Sequence, residues 1–125
     1  TLSDLPCPRG WTVRPNPSVH NSLSYLDASG ELAVSVTSIR QDGNHVLGAE
    51  AYARVAAQQL RCELPVKSNL VEGGWSFACP TVRVEALIYG DPRELVLVAF
   101  SGRSPETEPQ VEDFLHFLND QAAHR

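Results

Sequence analysis

The sequence predicts an α+β fold: an antiparallel sheet of about six strands with one helix on each face, an α/β/α sandwich. Three observations lead there. Val82–Tyr89 and the run from Glu94 to Ser101 are β-rich and joined by a Gly90-Asp91-Pro92 turn, and Trp75–Cys79 reads as a third strand beside them. Leu95 to Phe100 is an unbroken apolar run without alternation, the pattern of a strand buried on both faces. Two helical stretches, one before this block and one after it, supply a cover for each face.

The elements follow in order. Pro6, Pro8, Pro15 and Pro17 make the first 21 residues a lead-in (residues 1–10) with one edge strand, Trp11–Arg14, because proline cannot donate to a central ladder. Leu23 and Tyr25 alternate with Ser22 and Ser24, and Asp27-Ala28-Ser29-Gly30 turns the chain. Leu32, Val34 and Val36 then alternate with Ala33, Ser35 and Thr37, which completes a β-hairpin. Gln41-Asp42-Gly43-Asn44 breaks the pattern. From Ala49 to Leu60 the residues are strong helix formers, with Ala49, Tyr52, Ala53, Ala56 and Leu60 on one stripe. A stripe made mostly of alanine lets a helix axis sit close to a sheet. Glu63 to Val71 reads as another strand, and Glu72-Gly73-Gly74 turns into Trp75. In the tail, Thr107 and Gln110 have capping-box spacing, Pro109 suits a first turn, and Val111, Phe114, Leu115 and Leu118 form an apolar stripe. No repeat or linker divides residues 1–125, so they read as a single domain.

A chain of 125 residues buries roughly 65–70% of its unfolded surface and does not need metals or many disulfides to hold its core. A net charge of −5 argues against nucleic acid, whose recognition needs a basic face. The basic residues are nine Arg and one Lys (Lys67), without a run. No stretch reaches the roughly 18–20 apolar residues of a membrane span. Met is absent, even from position 1, and there are three cysteines in a small acidic chain. Together these lead us to expect a periplasmic or extracellular protein from which a signal peptide has been removed.

The cysteines admit several arrangements. A hairpin folding at Glu72–Gly74 sets Cys62 opposite Cys79, so this pair is the first expectation; a bridge to Cys7 and three free thiols are the others. Cys79 is equally at home as a small buried hydrophobe beside Phe77. A cysteine nucleophile needs a neighbour that lowers its pKa. Cys79 is followed by Pro80, and His20, His45, His116 and His124 form no Cys/His layout. Asp113, His116 and Asp120 share a helix face, but no CxxC, HxH or HExxH spacing is present and a solvated face accounts for them. Asp42-Gly43-Asn44 is explained by turn chemistry, without the continuation of a calcium loop. Gly-x-Ser-x-Gly and phosphate-loop motifs are missing. Ser101-Gly102-Arg103-Ser104 reads as a strand exit approaching a helix cap. We therefore expect no cofactor, no metal site and no catalytic residue.

This order of elements, across about residues 8–120, resembles the superfamily that contains the photosystem II extrinsic protein PsbP and the Mog-type Ran-binding import factors. Pro8-Arg9-Gly10-Trp11 is similar to the Pro-x-Gly-Trp start common in such domains. Many bacterial exported proteins of unknown function look similar, and the resemblance implies an α/β/α sandwich and at most a binding or accessory role. It transfers no catalytic or ligand-binding position to this chain. The expected function is a small exported, non-catalytic domain that engages a protein partner or an envelope component. Trp11, Trp75, Arg83, Glu85 and Tyr89 are its candidate contacts, Trp being a frequent interface anchor that otherwise closes a core edge. The alternative is a small-ligand carrier or enzyme whose pocket gathers residues from separate strands, with Arg83, Glu85 and Tyr89 alternating along one strand face as its nearest candidates.

Overall fold

Side-chain alternation along one central strand explains the architecture. In the computed structural model, which describes residues 5–123, strand β7 (Glu94–Ser101) turns Leu95, Leu97 and Ala99 to one face and Val96, Val98 and Phe100 to the other. Leu95, Val98 and Phe100 are buried, from opposite sides. The sheet around it contains β1 (Thr12–Pro15), β2 (Ser22–Leu26), β3 (Ala33–Arg40), β4 (Val66–Lys67), β5 (Trp75–Cys79) and β6 (Val84–Asp91). Its order is β1-β2-β3-β7-β6-β5-β4, with every neighbour antiparallel. Seven strands form where about six were expected, the shortest being the two-residue β4.

Helices α1 (Ala49–Leu60) and α2 (Glu108–Ala123) cover opposite faces, as the double burial of β7 requires. Ala53 and Ala57 of α1 pack with Phe77, Cys79, Ala86, Ile88 and Leu95. Val111 and Phe114 of α2 pack with Tyr25, Leu32, Val34, Leu87, Val98 and Phe100. Phe114 also meets Trp11 and Tyr25, at ring-centroid distances of 5.1 and 4.9 Å. This aromatic cluster holds the N-terminal lead-in against α2.

Four local features differ from the sequence reading. The α1 stripe ends at Ala57, and Leu60 is 68% exposed. Leu60 is the last helical residue, and beyond it the chain turns through a left-handed Arg61 (φ 58°) toward β5. The strand expected over residues 63–71 shrinks to β4, because the Ser68 hydroxyl accepts from the backbone N–H groups of Leu70 and Val71 and curls the chain out of the ladder. The strand expected from Val82 begins at Val84. Val82 and Arg83 lie in a tight turn whose N–H groups donate to Cys79 and Pro80, with Arg83 left-handed at φ 55°. The capping box of the second helix is Ser104–Thr107 instead of Thr107–Gln110. Pro105–Thr107 forms a 3₁₀ turn ahead of α2, the Ser104 N–H donates to the Thr107 hydroxyl at 2.9 Å, and that hydroxyl donates to the Gly102 carbonyl at 3.0 Å.

Cys62 and Cys79 form a disulfide with Cα atoms 4.4 Å apart, and Cys7 is free. The bridge staples the end of α1 to the end of β5. Beside it, Glu63 N–H donates to the Ala78 carbonyl at 2.9 Å. A closed loop of 17 residues contributes about 3 kcal/mol by restricting the unfolded chain.

Candidate binding surfaces

The five residues singled out from the sequence are not brought together. Trp11, Glu85 and Tyr89 lie on the α2 side of the sheet, Trp75 on the α1 side, and Arg83 at the turn before β6. Alternation explains the split: Trp75 pairs with Ile88, whereas Glu85 pairs with Phe100 and Tyr89 with Val96 across the pleat. Between Glu85 and Tyr89 on their shared face sits Leu87, 1% exposed, so these positions edge a core and do not line a cleft.

Most of the polar candidates have structural partners. Arg103, next to Gly102 at the strand exit, holds Glu108 through two hydrogen bonds of 2.6 and 3.2 Å and Glu85 through one of 2.8 Å. The bond to Glu108 keeps the guanidinium pKa above its ordinary value despite desolvation, and the same contact lowers the pKa of Glu108. Glu85 thus joins β6 to the first turn of α2. Asp27 is 5% exposed in the β2–β3 turn. Burial opposes its charge, but hydrogen bonds from the Leu32 N–H, from Ser29 and from Gly30 outweigh it and hold the carboxyl below the usual range. The Ser22 and Thr37 hydroxyls pair across β2 and β3 at 2.9 Å.

The free thiol is not activated. Burial pushes the Cys7 pKa up, which lowers the fraction of reactive thiolate. Nearby, burial and then the charge of Cys7 push Tyr25 up to about 12, and its hydroxyl donates to the Pro6 carbonyl at 3.3 Å. Among the described residues, no three of His, Cys, Asp and Glu gather as metal ligands, and His124 lies outside those residues.

Five surface depressions are open to solvent. One of about 280 Å³ lies between Asn21, Ser38, Arg40 and Glu94; another of about 420 Å³ lies over the β1–β2 loop near His20 and Val19. Two more, of about 310 and 180 Å³, sit over β1–β3 and β7 on the half of the sheet that α1 leaves open, among Thr12, Ser24, Ala33, Ser35 and Ala99. A fifth, of about 350 Å³, is lined by Arg40, Asp42, Asp91, Arg93 and Glu94 at the β6–β7 turn. None of the five joins a His or Cys to a carboxylate.

The feature that sequence reasoning missed is apolar. Leu60, Leu64, Val66 and Val82 are 61–74% exposed, while the other exposed large hydrophobics reach only 37–45%. Leu60 ends α1, Leu64 and Val66 lie on the segment that leads into and forms β4, and Val82 lies in the turn between β5 and β6. Helical spacing places Leu60 on the buried stripe and alternation places Val82 in a strand, so the element boundaries hide them. No helix among the described residues is long and apolar enough to cross a membrane. No family model matches the chain, and neither does any curated protein or solved structure.

Proposed function

We propose that this chain is a non-catalytic binding or accessory domain of an exported protein, periplasmic or extracellular, engaging a protein partner or an envelope component. One observation carries the reading: Glu85, Trp11 and two of the three cysteines are tied into the fold, while several large aliphatic side chains stand exposed. Glu85 is held by Arg103, Trp11 packs against Phe114 with tilted rings, and two of the three cysteines are oxidised together. The disulfide is consistent with an oxidising compartment. The sandwich with one helix per face accords with the PsbP-like resemblance, which points to an accessory role.

Thermal-shift screening against a broad small-molecule panel tests the reading. The expected result is an unchanged unfolding midpoint. A compound that raises it by several degrees in a dose-dependent way identifies a ligand carrier or enzyme instead. Thiol counting on the protein taken directly from cells tests the compartment: one reactive thiol is expected without reductant and three with it.

A further inference from the structure

Asp42 and Gly43 lie in the loop between β3 and α1, a segment whose sequence reads as turn chemistry alone. Gln41 clasps the two ends of that loop. Its Nε2 donates to the Leu47 and Pro92 carbonyls at 2.7 and 2.6 Å, and its Oε1 accepts from the Leu47 N–H at 3.2 Å. Residues 42–45 bulge from the clasp and are exposed. The Asp42 side chain is 84% exposed, and the Arg40 guanidinium, 3.8 Å away and itself open to solvent, holds it weakly.

An aspartyl carboxyl carbon stands within reach of the backbone nitrogen of the following residue, and joining the two closes a five-membered succinimide ring. A side chain on the following residue crowds that nitrogen, and a fixed backbone keeps the two atoms apart. Gly43 imposes neither restraint. It has no Cβ, its φ is +94°, and no heavy atom lies within 4 Å of the position a Cβ would take. Its carbonyl accepts from Arg93 Nη1 at 3.1 Å, which leaves the reacting nitrogen on the other side of the residue untouched.

Among the described residues, the other aspartates lack these conditions. Asp91 precedes Pro92, whose nitrogen carries no proton to lose. Asp27 is buried, with its carboxylate held by the Leu32 N–H and the Ser29 hydroxyl. Asp113 and Asp120 sit within α2, where the helix fixes the backbone.

We propose that Asp42–Gly43 is a site of spontaneous isoaspartate formation in the folded protein. The Gly43 nitrogen attacks Cγ of the protonated Asp42 carboxyl; the N–Cγ bond forms, the nitrogen gives up its proton, and a carboxyl oxygen leaves as water. Water then reopens the imide. Cleavage between nitrogen and Cγ restores aspartate. Cleavage between nitrogen and the main-chain carbonyl carbon leaves Gly43 attached through Cγ and turns that carbonyl carbon into a free carboxylate. The water lost is regained, so the product has the mass of the parent and no other reactant is consumed. The backbone gains one methylene, and the free carboxylate hangs directly on the Asp42 Cα, beside a depression lined by Arg40, Asp91, Arg93 and Glu94. The Gln41 clasp holds the loop ends, so the sandwich stays folded.

Ageing the full oxidised chain in warm neutral buffer tests it. The urea-unfolded chain and Asp42→Glu are the comparisons, with circular dichroism confirming that the aged parent and the variant are folded. Isoaspartate is counted by methyl transfer from S-adenosylmethionine with a purified isoaspartyl methyltransferase, and located by peptide mapping with electron-transfer fragmentation. The expected result is isoaspartate at position 42 in the folded parent, at unchanged mass and ahead of every other aspartate and asparagine. Methyl incorporation is expected to be lost in Asp42→Glu, because a glutamyl carboxyl has to close a larger ring. Isoaspartate at position 42 in the unfolded chain alone, or in neither form, overturns the inference, since the folded loop then keeps carboxyl and nitrogen apart. Isoaspartate located chiefly elsewhere, or methyl incorporation that Asp42→Glu leaves unchanged, overturns it as well.

Discussion

Gly102 joins the last sheet strand to the helix that covers it, and replacing it with alanine should be among the most damaging small changes in this protein. Its φ of +92° is unfavourable for any residue with a Cβ. An added Cβ would overlap the Glu31 carbonyl oxygen, which is backbone and cannot rotate aside. Strain from positive φ alone is worth about 1–2 kcal/mol. Relieving the overlap requires moving Glu31 or the β7 exit, which also disturbs Arg103 and its contacts to Glu85 and Glu108. The total expected is about 3–4 kcal/mol. For a chain of 125 residues that corresponds to a melting midpoint lowered by roughly 10–20 °C. Gly73→Ala is the control, because Gly73 has φ +75° and nothing within 4 Å of the added Cβ. It isolates the dihedral term at about 1–2 kcal/mol. Urea unfolding followed by tryptophan fluorescence measures both, since Trp11 reports on the α2 side and Trp75 on the α1 side. If Gly102→Ala falls within about 1 kcal/mol of Gly73→Ala, the close approach to Glu31 does not constrain the fold and the reasoning fails.

Two further predictions concern covalent and titratable groups. Replacing Cys62 and Cys79 together with Ser should cost about 3 kcal/mol in urea unfolding, and adding reductant should then have no further effect. Asp27 has a carboxyl pKa lowered in the folded state, so the stability it contributes is complete above the unfolded-state value of about 3.9 and is lost as pH falls through the folded value. Asp27→Asn should therefore be less stable than the parent at pH 7, with the gap narrowing as the medium becomes acidic, as read from melting midpoints between neutral pH and pH 2.

Periodicity was legible where burial has a simple period. The β2–β3 hairpin, the bounds of α1 and the double burial of β7 all follow from alternation or helical spacing, and the disulfide follows from hairpin symmetry about Glu72–Gly74. The boundaries that misled were set by single hydrogen bonds. The Ser68 hydroxyl shortened β4, the Cys79 and Pro80 carbonyls folded Val82 and Arg83 into a turn, and the Thr107 hydroxyl bonded back to Gly102 instead of capping forward. Side-chain hydroxyls compete with backbone partners at such ends, and sequence spacing does not rank the competitors. Candidate contacts fared differently. Glu85 is a plain strand carboxylate in sequence, and only the three-dimensional approach of Arg103, 18 residues away, turns it into a link between sheet and helix.

The exposed edge calls for a reason why it does not simply recruit another strand. Edge strands invite pairing when they are long and regular. Here β4 spans two residues, is preceded by Pro65, which has no N–H to offer, and ends at Lys67, whose charge opposes stacking of like copies. Backbone pairing is therefore blunted, while the aliphatic side chains at 61–74% exposure remain. An edge designed only against aggregation would lose those side chains first, since polar residues at positions 60, 64, 66 and 82 would give up little core packing. Their retention, with backbone pairing at β4 suppressed, favours side-chain contact over strand addition.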